Sequence, residues 1–225
     1  MSRREDVLGR VREALSVPSD AEVKATAGVG VRDVRKARAF MPPGGETAEE
    51  RLRIFQGLAE KLKAEVQVFG EMAEVEQAFA ALAKEEGWMR VGSHHHPLTD
   101  ALLVGASTEV TWTDDEPSVD ELERLPAGIS ACEALIAQTG SVLVTNRGCG
   151  GRALSVLPPH HIVIATMDQV LPDMLAGFDL LKERYGEAPP SLISFITGAS
   201  RTGDIERILV LGAHGPKRLT IWIVG

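Results

Sequence analysis

Aromatic side chains are scarce, at 4% of 225 residues, so a core has to be built mostly from Val, Leu, Ile and Ala. Cysteine is scarcer still. Cys132 and Cys149 are the only two, and they do not form a CxxC pair. That excludes a disulfide scaffold and a cysteine cluster for an iron–sulfur centre. No apolar run approaches the roughly 20 residues needed to span a bilayer. Met1-Ser-Arg-Arg-Glu-Asp6 carries charge with no apolar run behind it, so no signal peptide is expected and a cytoplasmic location is. Basic excess is also missing. The formal net charge is −8, and the basic residues are mixed with acidic ones. Nucleic-acid binders draw most of their affinity from phosphate neutralisation, so this balance argues against that class. Walker A, GxGxxG, GxSxG and HExxH patterns are absent as well.

The remaining composition, 44% hydrophobic and 25% charged, suits a globular chain with one substantial core. Val7, Leu8, Val11 and Leu15 recur at helical spacing, which predicts a short amphipathic helix over 5–16. Residues 17–45 hold Pro18, Pro42, Pro43 and several glycines and read as an irregular arm that could dock on another subunit. The organisation expected is a helix and arm over 1–45 and an α/β domain over 46–225. In that domain Thr47 and Glu50 fit a capping box opening a helix to about residue 64. Strands are expected at 66–69, 88–91 and 109–113, with helices at 71–86 and 97–104 between them. Such alternation predicts a mainly parallel sheet flanked by helices. The later half is less regular. Strands are expected at 141–145, 161–166, 191–197 and 219–224, and a helix over about 168–185 with Pro172 in its first turn. A short helix or turn is expected near 204–210. The sheet is therefore expected to be mixed, with an antiparallel part near 141–145.

Three glycine-punctuated stretches carry candidate chemistry. Thr197-Gly-Ala-Ser-Arg-Thr-Gly-Asp-Ile-Glu206 follows a strand. If it opens a helical turn, its free N–H groups favour an anion. Gly198 and Gly203 permit close approach, Ser200 and Thr202 offer hydroxyls, and Arg201 offers a fork suited to carboxylate or phosphate. The competing reading is a capped turn with Arg201 paired to a carboxylate. Asn146-Arg-Gly-Cys-Gly-Gly-Arg152 places Arg152 where it could close over an anionic substrate, or forms a solvated turn. Leu211-Gly-Ala-His-Gly-Pro-Lys217 puts His214 between glycines, where it could serve as acid, base or donor, or bond the backbone. Cys149 in the second stretch is either a small buried hydrophobe, like Cys132, or an exposed thiol. His94, His95 and His96 read as surface or helix-cap residues rather than metal ligands, and His160 and His161 as packing residues. No metal site and no cofactor of this chain's own is expected.

Taken in order, these segments resemble the lactate-utilisation protein C (LUD domain) family. The likeness rests on Ala134-Leu-Ile-Ala-Gln-Thr-Gly-Ser-Val-Leu-Val144, Gly151-Arg-Ala-Leu-Ser-Val-Leu-Pro158 with His161-Ile-Val-Ile, Thr197–Glu206 and Leu211–Lys217. The start, Val7-Leu-Gly-Arg-Val-Arg-Glu-Ala-Leu15, is also similar. The resemblance implies a mixed α/β fold like the NagB/RpiA/CoA-transferase group. It implies a role in oxidising L-lactate to pyruvate beside two partner proteins that carry iron–sulfur clusters. Gln138 stands where that family often has an acidic residue, so a transfer mechanism through a carboxylate there is not expected. The readings that stay open are a non-redox subunit binding an anionic small molecule, a free-standing enzyme on a sugar phosphate or acyl-CoA, and a regulatory anion-binding protein.

Overall fold

A computed structural model of the chain describes residues 7–10, 12, 41–202, 210–212 and 214–225. The chain divides into two units, Met1–Met41 and Pro42–Gly225. In the first, residues 7–10 and 12 are helical, within the helix expected over 5–16, and exposed, Val7 and Leu8 of its apolar stripe included. The rest of that expected helix, and the arm up to residue 40, lie outside the described residues.

The second unit begins with helix α1 (Ala48–Lys61). Its capping box is the one expected: Thr47 accepts from the Glu50 amide and the Glu50 side chain returns to the Thr47 N–H. Strand β1 (Ala64–Phe69), helix α2 (Met72–Glu86), strand β2 (Arg90–Ser93), helix α3 (Pro97–Leu103) and strand β3 (Glu109–Trp112) follow. Helix α2 stops at Gly87, which sits in the left-handed region at φ 68°. A left-handed glycine is a common way to end a helix, and here it delays β2 by two residues. Next come a short helix α4 (Val119–Glu123), β4 (Ala127–Ala131), β5 (Ala134–Ile136), β6 (Ser141–Thr145), β7 (His160–Thr166) and β8 (Val170–Leu171). Helix α5 (Met174–Tyr185), β9 (Ile193–Ile196), β10 (Arg201–Thr202), β11 (Val210–Leu211) and β12 (Arg218–Val224) complete the unit.

Six strands form a wholly parallel sheet in the order β1-β12-β7-β4-β2-β3. The antiparallel part expected within it lies instead in a separate four-stranded sheet, β8-β5-β6-β9. The chain can cross between sheets because only two residues, Cys132 and Glu133, separate β4 from β5. Helix α5 also starts later than periodicity suggested. Val170 is in a strand, Pro172 precedes the helix, and Asp173 caps it by accepting from the Ala176 amide.

Central strands β7 and β12 are buried along nearly their whole length, as expected for strands covered on both faces. Successive side chains alternate between faces. Val163, Ala165, Ile221 and Ile223 pack with Phe55 and Ala59 of α1 and with Leu135, Val142 and Val144 of the second sheet. Ile162, Ile164 and Trp222 pack on the other face with Val75 and Phe79 of α2 and Leu102 of α3. Each fully buried Ile, Leu or Phe contributes about 1.5–3 kcal/mol, so both faces count. Helix α5 covers the far side of the second sheet through Leu181. Among the described residues, no helix is long and apolar enough to cross a membrane.

Candidate functional site

Ligands of open parallel sheets tend to sit beyond the carboxyl ends of the strands. There the chain leaves β2 into His94-His95-His96 and leaves β4 into Cys132-Glu133. His94 is buried, and its Nε2 accepts from the Ala131 N–H at 3.1 Å. Burial holds its pKa down to about 4, so the ring is neutral near pH 7. With Nε2 accepting, its proton resides on Nδ1. His96 caps α3, its Nδ1 accepting from the Leu98 N–H at 3.2 Å. Burial lowers its pKa too, with Glu133 raising it and Arg184 lowering it further down the order of causes. That ring therefore carries its proton on Nε2. The two rings lie 5.9 Å apart, centre to centre. His95 instead stacks on Trp112 at 4.1 Å, and a hydrogen bond to Asp100 raises its pKa. The expected helix-cap and surface roles are thus taken by His96 and His95, while His94 is a buried acceptor for the Ala131 N–H.

Glu133 is the centre of this end of the molecule. Its side chain is 1% exposed and pairs with Arg184, whose side chain is 47% exposed. The same carboxylate accepts from the Tyr185 hydroxyl and, at 2.5 Å, from the Thr145 hydroxyl. Thr145 in turn accepts from the Gly148 amide at 3.0 Å. The final turn of α5 therefore places Arg184 and Tyr185 on a carboxylate supplied by the β4–β5 link. A Cβ on Gly148 would stand 2.4 Å from the Glu133 Oε1, so this loop can only approach as glycine. Burial pushes the Cys149 thiol up to about 12 and the Cys132 thiol well above its ordinary range. Both are buried, unreactive hydrophobes, and the exposed-thiol reading of Cys149 does not hold. What this arrangement offers a ligand is a set of donors: two tautomerically fixed imidazole N–H groups and a half-exposed guanidinium.

Sequence reasoning missed Glu133, Arg184 and Tyr185. The signal was present: a glutamate inside the buried apolar run Ile129–Ile136 has to be paired. Its partners are about fifty residues away, and periodicity does not reveal them.

The predicted loops divide between two ends of the sheet. Ser200 donates its N–H to Pro216 O at 2.9 Å, and Gly212 N–H donates to Ser200 O at 2.9 Å. Arg201 pairs with Leu211 and Thr202 with Val210 in an antiparallel ribbon. Gly198, Ser200, Arg201, Thr202 and His214 are thereby brought together, with Arg201 and His214 exposed. Gly203 lies outside the described residues. Arg201–Thr202 form a strand, and the short helix or turn expected near 204–210 falls almost wholly outside the described residues. The ribbon joins the amino end of the sheet, where Lys217 N–H donates to Pro159 O at 2.8 Å. Arg152 is exposed on the segment between β6 and β7. Two residues earlier, a Cβ on Gly150 would meet the His94 ring at 3.1 Å, and two residues later Leu154 covers Gly92 and Gly128. Arg152 thus lies on a segment that runs from beside His94 toward Gly128. Gln138 donates from its Nε2 to Pro42 O at 2.6 Å.

A family model described as the LUD domain matches residues 52–224. Lactate utilization protein C of Deinococcus radiodurans is 35% identical over 114 residues, covering 49% of this chain and 53% of that protein. The Bacillus subtilis protein of the same name is 32% identical over 117 residues, covering 50% and 49%. These alignments span about half the length of those two relatives. With Lactate utilization protein C of Halalkalibacterium halodurans the match is 28% over 233 aligned positions, covering 100% of this chain and 98% of that protein. The fold is similar to the crystal structure of a DUF162 family protein from Deinococcus radiodurans, with TM-score 0.64 and 25% identity over 80% of this chain and 100% of that one.

Proposed function

We propose a place in bacterial lactate utilisation for this chain, which belongs to the LUD domain family. The observation that carries this is the match along the whole chain to a protein named for lactate utilisation. In its fuller form the reading is a subunit of a system that oxidises L-lactate to pyruvate beside iron–sulfur partners. A cluster takes about four cysteine thiolates. This sequence has two cysteines, which supports leaving electron transfer to other proteins.

The subunit's own part is to bind an anionic small molecule. At the carboxyl end, Arg184 is held by a buried carboxylate beside the neutral rings of His94 and His96. A guanidinium fixed at one end keeps its other N–H groups for a ligand carboxylate. Arg152 lies on the segment that closes over His94. Ser200, Arg201 and His214 make a second group of donors beside the ribbon, after Gly198.

Deletion of the gene tests the pathway. Growth on L-lactate should fail while growth on glucose continues, and iron–sulfur proteins should co-purify with the tagged chain. Undiminished growth on L-lactate would sink the assignment. For the anion, ligand-induced thermal shifts with L-lactate, pyruvate and phosphate should shrink in Arg184→Met or in Arg201→Ala, whichever group carries the ligand. The same shifts in both variants as in wild type would exclude both groups.

A further inference from the structure

Residues 146–159 join β6 to β7 without helix or strand, and they carry the glycine stretch around Cys149. A connection of this length with no secondary structure of its own is uncommon and is usually a lid or a binding loop. We propose that residues 149–158 form a strap that opens locally and controls access to a buried polar face at the carboxyl-end centre. The ligand it admits is taken from the anion reading above, whereas the strap itself is argued from what it covers and how it is held.

What it covers is polar. Gly128 and Ser130 share one face of β4, because side chains alternate along a strand. In-register pairing sets His161 of β7 beside Gly128. Ser130 and His161 are fully buried and bond each other at 2.9 Å, and His161 Nδ1 has no partner among the described residues. A buried polar atom left unmet is costly, so a face built only for packing would carry apolar side chains here. The strap lies directly on this face. A Cβ on Gly128 would stand 2.6 Å from Leu154 O, and one on Gly92 would stand 3.0 Å from the Leu154 side chain. Gly150 packs on the His94 ring in the same way. A ligand therefore reaches the His94 N–H only when the strap lifts.

How it is held makes lifting cheap. Among the described residues, none of 150–158 hydrogen-bonds outside the segment, and the Val156 and Leu157 N–H groups donate to Ala153 O within it. Cys149 adds one long bond, its Sγ accepting from the Thr145 N–H at 3.5 Å. The ends are fixed. Gly148 N–H stays on the Thr145 hydroxyl at 3.0 Å, and Pro159 O accepts from the Lys217 N–H at 2.8 Å. Between these ends the buried side chains of Cys149 and Leu154 plug the strap into the body. A segment with so few ties opens at lower free energy than the laddered strands β4 and β7 beneath it.

Labelling of the native full chain with iodoacetamide, read by peptide mass without any ligand, tests this. Cys149 rides on the strap, and Cys132, equally buried, sits on the β4–β5 link. Both should react slowly compared with an exposed thiol, Cys149 about tenfold or more faster than Cys132. Leu154→Val and Ile162→Val each remove one methylene, the second on the opposite face of the sheet, and both should fold. Leu154→Val should raise the Cys149 rate about fivefold, and Ile162→Val should raise the Cys132 rate about as much while leaving the Cys149 rate nearly unchanged. Diethyl pyrocarbonate should modify His94 in step with Cys149, ahead of His160. Equal rates at the two thiols would mean that only global unfolding exposes them, and would overturn the strap. A Cys149 rate that rises as much in Ile162→Val as in Leu154→Val would do the same. His94 inert while Cys149 reacts would overturn the claim that the strap governs access to it. These readouts need no ligand, so the strap and the anion reading fail separately.

Discussion

Replacing Glu133 by glutamine isolates the charge of the carboxyl-end centre while keeping its shape. The side chain is 1% exposed, so its environment is set by protein groups. The Tyr185 and Thr145 hydroxyls can still donate to an amide oxygen. The amide nitrogen, however, would face the Arg184 guanidinium, donor against donor. Breaking a buried pair by removing one charge costs about 3–5 kcal/mol when the other charge is stranded. Arg184 is 47% exposed and can turn to water, which brings the expected loss to about 2–3 kcal/mol, the scale of one charge-assisted hydrogen bond. For a unit of this size each kcal/mol moves the melting temperature by about 2–4 °C, so a fall of about 4–12 °C should follow. Urea unfolding followed by tryptophan fluorescence can read this, because Trp222 sits in the core between α2 and β7. The sign should change in the Arg184→Met background. There Glu133 is an uncompensated buried charge, and neutralising it should cost nothing or stabilise. A loss under about 0.5 kcal/mol in the wild-type background, or an equal loss in both, would refute the claim that this ion pair organises the centre.

Three other outcomes are expected. Burial holds His94 and His160 to about 4 and His161 to about 3, and Nδ1 of the latter two has no partner for a proton among the described residues. Folded values lie below the unfolded value of 6.5, so this contribution is complete above about pH 6.5 and is lost as pH falls toward 4. Each ring costs about 2 kcal/mol by pH 5, and a urea midpoint that does not fall between pH 7.5 and 5 would contradict it. Gly198→Ala places a Cβ 2.2 Å from Leu62 O at φ +80°, whereas Gly151→Ala, at φ +85°, meets nothing within 4 Å. The first should cost about 2–4 kcal/mol and the second about 1 kcal/mol. Equal melting temperatures would show that the ribbon is not seated against α1. Finally, Cys132 and Cys149 should resist a thiol reagent in the native protein at pH 8 and react once unfolded. Prompt native labelling of Cys149 would contradict its burial.

Much of the architecture was legible in the chain. Alternating helices and strands announced a parallel sheet, and the Thr47–Glu50 box marked the start of α1. The errors have local causes. Short stretches such as 168–171 (Asp-Gln-Val-Leu) carry no sign of whether they make a helix or end in a two-residue strand, and pairing with β5 decided the matter. Hydrophobic pattern also says nothing about which sheet a strand joins, so β6 was assigned to the wrong one.

Identity of type, then, was settled by the residues in line: the order of motifs, the two-faced burial of strands such as His160–Thr166, and the absence of cysteine clusters. Convergence was not. Glu133 meets Arg184 and Tyr185 because the chain crosses between sheets at that glutamate and α5 ends above it. The loop of Gly148 and Gly150 packs on Glu133 and His94, while Ser200 bonds the segment before β12, although both stretches looked equivalent as glycine-flanked polar loops. Local propensity acts over a turn or two, whereas strand order is set by burying both faces of one sheet. Only the folded chain could decide which distant side chains share a site.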